Sequence, residues 1–165
     1  MSEEQLAKYA KLRIIFGDEF VKKFIEAKRT SLLSATIGDT KELVREAIAY
    51  IREHPEEPVY QKEGIAVALV EVPGNKDSFV RYIEKTGNYR LGCLIAGFWG
   101  SLFFELYEDL ERLEPGEFYW VIMRGFRWQE FQGRRTWTAN YVTHLHIDEV
   151  PVEAYSGGSK EEESE

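Results

Sequence analysis

Two hydrophobic rhythms divide the chain. Up to about residue 57, apolar side chains recur every three to four positions, the spacing of one helical face. The weakest such stretch runs from Glu3 to Ile14. Asp18, a residue able to cap a helix, precedes Phe20, Val21, Phe24 and Ile25. Asp39 and Glu42 have capping-box spacing and precede Leu43, Val44, Ala47, Ile48 and Ile51. Pro55 and Pro58 then stop the helix. Three amphipathic helices cannot bury their stripes alone. They are expected to pack on one another, on the remaining chain or on a partner.

From Gly64 the period changes to two. GIAVALVEV reads as a strand closed by the turn PGNKD. SFVRYIEKTGN either extends that strand or forms an insertion before the next, YRLGCLIAG. SLFFELY alternates cleanly, YEDLERLEPG reads as a short acidic helix ending in a Pro-Gly turn, and EFYWVIMRGFRW is again a strand. QEFQGRR reads as a hairpin loop around Gly133. In TWTANYVTHLHI, Trp137, Ala139, Tyr141, Leu145 and Ile147 all fall on odd positions, the most regular alternation in the chain. The domain expectation is therefore a helical extension over 1–57, a β-barrel over 62–150 and a disordered acidic tail over 151–165, where SGGSKEEESE combines flexible residues with like charges.

Composition narrows the class. Hydrophobic residues make up 44% and charged residues 30%, as in folded globular chains. No stretch approaches the ~20 apolar residues of a membrane span, and the polar opening MSEEQLAK is unlike a signal peptide. Cys93 is the single cysteine, so no internal disulfide and no thiolate zinc cluster can form. A cytoplasmic setting with no membrane contact is expected. The Lys/Glu-rich makeup, with three Asn and four Gln, fits a heat-tolerant source.

The net charge of −8 argues at first against a phosphate-bearing ligand. Its distribution changes that reading, because the local sign is what matters. Residues 1–61 carry ten basic and eleven acidic side chains, 62–150 carry ten and thirteen, and 151–165 carry one and five, so half of the excess lies in the last fifteen residues.

Five strands with a short helical connection between the third and fourth follow the order of an oligonucleotide/oligosaccharide-binding (OB) barrel. GNYRLGCLIAGFWGSLFFELYEDLERLEPGEFYWVI resembles the corresponding stretch of replication protein A and archaeal single-stranded-DNA-binding OB domains. FRWQEFQGRRTW resembles the aromatic hairpin that follows in those proteins. The likeness covers about half the chain. It departs at AGFWG, where the usual acidic residue before the third strand is missing, and the helical front end has no counterpart. What it implies is an α+β protein with a helical N-terminal extension, a five-stranded antiparallel OB-type barrel and an acidic tail. It also implies single-stranded nucleic-acid binding, DNA before RNA, in replication, repair or recombination.

Thirteen of the 23 aromatic residues, including all four tryptophans, lie between Phe98 and Tyr141. A barrel core of this size absorbs about half, and rings on the opposite face would stack bases. The candidates are Phe103 and Tyr107 on the third strand, Trp120 on the fourth, and Phe126, Trp128 and Phe131 at the hairpin. Arg124, Arg127, Arg134 and Arg135 against the single Glu130 make the hairpin locally +3. Guanidinium groups can stack on bases and grip phosphate with two donors. In the plainer alternative, these arginines pair with the acidic stretch Glu108–Glu117 and the rings only fill core.

His144 and His146 stand two apart on one strand face, but apart from Asp148 no third ligand is nearby. No metal and no other cofactor is expected. The chain shows no phosphate loop, nucleophile elbow, HExxH or paired catalytic carboxylates, so enzymatic activity is not expected. The acidic tail and N-terminal helices could instead hold a larger protein subunit. That makes an OB-fold assembly subunit the rival expectation and an RNA-binding OB module the third.

Overall fold

A computed structural model describes residues 3–36 and 39–156. The protein is α+β with an N-terminal helical region, as the patterning indicated. Helices α1 (Glu3–Phe16), α2 (Asp18–Thr36) and α3 (Thr40–Glu53) come first. Strands β1 (Tyr60–Lys62), β2 (Ile65–Glu71), β3 (Val80–Ile83), β4 (Asn88–Ile95) and β5 (Phe98–Phe104) follow. Helix α4 (Tyr107–Glu111), the long strands β6 (Phe118–Phe131) and β7 (Arg134–His146), and helix α5 (Val152–Ser156) complete the order.

The sheet has seven strands in the order β1-β2-β6-β7-β5-β4-β3, with β2 also pairing β4. That extra pairing bends five strands, β2-β6-β7-β5-β4, into a partial ring. Its seam is short, consisting of Val70 opposite Ile95 and Glu71 opposite Leu94. The expectation of five antiparallel strands needs correcting on two counts. The ambiguous stretch after PGNKD forms β3, and β1 adds an edge. The ring is also mixed, because β5 runs parallel to β7 over Gly100–Phe103. Parallel neighbours need a long crossover, here supplied by α4 and β6 together. Their close approach depends on Gly100, where a Cβ would stand 2.8 Å from the Trp137 carbonyl oxygen.

The supposed hairpin loop 129–135 is mostly strand. Phe131 and Arg134 still pair, and only Gln132 and Gly133 turn, both with positive φ. Ala96 and Gly97 make the same two-residue turn between β4 and β5. Such turns match the twist of the flanking strands, and glycine accepts the left-handed position without strain.

Two cores flank the sheet. Inside the ring, Ala68, Val70, Leu91, Cys93, Leu102, Phe104, Val121 and Met123 are buried. Outside it, Leu43, Val44, Ala47 and Ile48 of α3 cover Ile65, Val67, Trp120, Ile122, Val142 and Leu145. The regular alternation expected along β7 breaks between these cores. A register shift opposite Ile122/Met123 makes Val142 an extra residue, so Tyr141 faces the ring interior and Leu145 faces α3.

The helices α1 and α2 dock through polar ties as well as apolar contact. Tyr9, Val21 and Ile25 form a small core with Leu12 and Leu106. Arg13 donates to the carbonyl oxygens of Gly87, at 3.2 Å, and Glu105. Arg29 of α2 meets Asp109 of α4 at 2.6 Å, and Lys22 meets Glu108 at 2.6 Å. The ordered chain also runs past residue 151. Tyr155 of α5 donates to the Ile147 carbonyl at 2.8 Å and accepts the Trp120 indole N–H at 3.1 Å. The expected mobile acidic stretch of residues 157–165 lies outside the described residues. No described helix is long and apolar enough to cross a membrane.

Candidate nucleic-acid interface

On the outer face of β4, β5 and β7, alternation delivers a different set of side chains from the core. Arg90 points out from β4, Ser101 and Phe103 from β5, and Thr138 and Asn140 from β7. They floor two adjoining hollows of about 380 and 530 Å3. The first also touches Phe79, Trp99 and Thr136, and the second Lys85, Thr86 and Arg127. Phe103, Gln129 and Thr138 line both, so the two form one groove with the Phe103 ring between them. The β3–β4 turn and Leu6 of α1 wall one side, and the long β6–β7 arm walls the other.

Trp99 is 49% exposed and stacks on Phe79 with ring centres 5.2 Å apart, presenting a flat apolar surface at one end of the groove. The Thr138 hydroxyl beneath the floor is buried without a hydrogen-bond partner. Lys85, Arg90 and Arg127 form no ion pair with a carboxylate among the described residues. The same holds for Arg124, Arg134 and Arg135. The plainer alternative for the arginine hairpin therefore loses its partner. Glu108 is taken by Lys22, and Asp109 by Arg29 and Arg112. The acidic groups nearest in sequence on this side are Glu84 and Glu130, both exposed. Glu105 sits deeper, where burial pushes its carboxyl above the usual range against the pull of Lys28, Arg29 and Arg13.

The residues singled out from sequence divide into three groups. Phe103 and Arg127 lie in the groove. Phe126, Trp128 and Arg135 lie on the other side of the arm, in a continuous stack: Phe126 on Trp137 at 4.4 Å, Trp137 on Trp128 at 3.5 Å, and the Arg135 guanidinium 4.9 Å from the Trp128 ring centre. Trp128 is 39% exposed, with one face against Trp137. Arg134 is exposed near the arm's tip, and the side chain of Phe131 lies outside the described residues. The third group stands apart. Trp120 is buried under α3, because β6 directs even-numbered side chains to the helix side. Tyr107 is exposed on α4 and packs against Tyr89. Arg124 lines a hollow of only about 40 Å3 between α2 and the sheet, room for a water or two.

Sequence reasoning missed Lys85, Arg90, Trp99 and Trp137. Counting register outward from the Gln132–Gly133 turn would have placed Trp137 directly opposite Trp128. Nothing local in the sequence marks Lys85 and Arg90, which reach the groove only because β4 is the neighbour of β5.

The histidines are engaged separately. The His144 Nδ1 and the Tyr141 hydroxyl share a hydrogen bond at 2.6 Å. His146 donates from Nε2 to Glu117 at 2.6 Å and accepts the Asp148 N–H on Nδ1 at 3.0 Å. Among the described residues no cluster of three His, Cys, Asp or Glu could hold a metal.

Comparison with protein-family models, with curated proteins and with solved structures found no match to this chain.

Proposed function

We propose that the protein binds single-stranded nucleic acid, DNA before RNA, along the groove over β4, β5 and β7, as a binding protein serving replication, repair or recombination. The observation that carries this reading is the pairing of Trp99 and Phe103 with Lys85, Arg90 and Arg127, cations that form no ion pair with a carboxylate among the described residues. A single strand needs apolar rings on which bases stack and cations along its phosphates. Trp99 and Phe103 stack bases, the three cations hold the backbone, and the polar row of Gln129, Thr136, Thr138 and Asn140 meets base edges or sugars.

The OB reading is supported by connectivity. The five ring strands and α4 occur in the chain order strand, strand, strand, helix, strand, strand, with the third and fifth strands parallel. An OB barrel is partly open, and oligonucleotides lie over its second and third strands between two flanking loops. Here those strands are β4 and β5, and the loops are the segment carrying β3 and the tip of the β6–β7 arm. β1 and β3 are then additions to the five-stranded plan. Relative to the expectation from sequence, the ligand moves from the hairpin tip into the groove. Phe126, Trp128, Arg134 and Arg135 would take part where a strand leaves it. Titration with fluorescent oligo-dT and oligo-U tests the reading. Binding of either with quenching of tryptophan fluorescence supports it, and a tighter complex with one separates DNA from RNA.

A further inference from the structure

One surface has no part in nucleic-acid binding. At the joint of α1 and α2, Ile14, Ile15, Phe16, Phe20 and Phe24 stand 84, 68, 56, 45 and 47% exposed. The three phenylalanines form a row with ring centres 4.7 and 6.4 Å apart. This row is not a core stripe left uncovered, since α2 already buries Val21 and Ile25 against Tyr9. So many large apolar side chains together in water mark a contact surface.

We propose that the row is the interface of a two-fold homodimer in which α2 packs antiparallel on α2 of a second copy. Spacing and charge together favour a copy of this chain over another occupant. Let the two-fold axis cross α2 at the level of Val21. With a rise of about 1.5 Å per residue, Phe20 lies one step to one side and Phe24 three steps to the other. Phe16 extends the row from the last turn of α1. The partner's rings fall at the mirrored levels, so the order along α2 becomes the partner's Phe24, Phe20, the partner's Phe20, Phe24. Each ring enters a gap about 3 Å from its neighbours along the axis, as knobs enter holes.

The same axis sets Glu19 level with the partner's Lys23, and Lys23 level with the partner's Glu19. These residues stand one turn apart on one flank of α2, and in an antiparallel pair that flank meets its own copy. Both are exposed and available. Glu19 touches Lys22 only at 4.0 Å, and Lys23 makes no ion pair among the described residues. In a parallel pairing the two-fold axis runs along the helices and this flank meets the opposite flank of the partner, so both pairs are lost. The surface is thus complementary to itself in one orientation, the requirement for a closed two-fold contact.

The test is the mass of the full chain by sedimentation and light scattering from micromolar to submillimolar concentration. The wild type should pass from monomer to dimer. Phe20→Asp should remain monomeric with unchanged circular dichroism. Lys23→Glu should weaken the dimer about tenfold, because two favourable pairs become repulsive. The double swap Glu19→Lys with Lys23→Glu should restore it, and this arm stays informative even if Phe20→Asp fails to fold. A wild type monomeric throughout overturns the proposal, including one that captures a different protein on this face. So does a dimer indifferent to Phe20→Asp, or a double swap as weak as Lys23→Glu alone.

Discussion

Asp109 ties the helical region to the sheet, and removing its carboxylate tests how that tie works. The residue is 1% exposed, accepts from Arg29 of α2 at 2.6 Å and lies 3.7 Å from Arg112. In Asp109→Ala, the one carboxylate left paired with Arg29 among the described residues is Glu26, 3.1 Å away at the surface. Breaking a buried pair costs about 3–5 kcal/mol when the surviving charge stays buried. The Arg29 side chain is 13% exposed and long enough to follow Glu26 toward water, which places the expected loss near about 2–3 kcal/mol. With a urea m-value of about 2 kcal/mol/M, the midpoint should fall by about 1–1.5 M. Two probes separate the halves of the molecule. The four tryptophans all lie in β5, β6 and β7, and Trp120 alone packs on α3, so their fluorescence reports mainly the sheet, whereas helical ellipticity is dominated by α1–α3. If the tie holds the helices in place, ellipticity should be lost at lower urea than fluorescence in Asp109→Ala. The double variant Arg29→Met with Asp109→Leu should be more stable than the single one, because no charge is left stranded. A midpoint within about 0.3 M of wild type, or a double variant weaker than the single, would refute the reasoning.

Other outcomes follow from the same structure. Trp99→Ala should weaken oligonucleotide binding by about 1–3 kcal/mol, the contribution of one stacked base, while fluorescence anisotropy at saturation stays unchanged; unaltered affinity removes Trp99 from the site. Burial first, then Arg112, holds the His144 imidazole below its ordinary 6.5, so the unfolded chain takes up the proton more readily. Stability should therefore fall as pH drops through about 6.5 and level off below the folded value, and urea midpoints of His144→Asn should lack that step. Complete burial pushes the Cys93 thiol up to about 12, so a thiol reagent at neutral pH should label it only at the rate of unfolding.

How far the chain could be read depended on whether the deciding information was local. The helices α2 and α3 were visible because Asp39 caps one and apolar residues recur along both, and the period-two stretches became β2, β4 and β7. The β3 pairing was hidden, since Val80–Ile83 is only four residues long and gains its partner from the turn into β4. The parallel β5–β7 contact was hidden too, because it joins residues nearly forty positions apart and is permitted by one glycine. A bulge at Val142 defeated simple alternation in the strand that looked most regular. The candidate site suffered for the same reason. Aromatic and arginine content pointed to the β6–β7 arm, but Trp120 was lost to α3, and Lys85, Arg90 and Trp99 joined Phe103 and Arg127 only through strand order.

The most direct test of the central claim is the salt dependence of oligo-dT binding by the full chain, followed through tryptophan fluorescence. If Lys85, Arg90 and Arg127 each hold a phosphate, log affinity should fall with log salt at a slope of about −2, since each single-strand contact contributes ~0.7. Arg90→Ala with Arg127→Ala should reduce that slope by about 1.4 and leave the fold intact. The contradicting result is a protein folded by circular dichroism whose fluorescence is unchanged by oligo-dT or oligo-U at low salt.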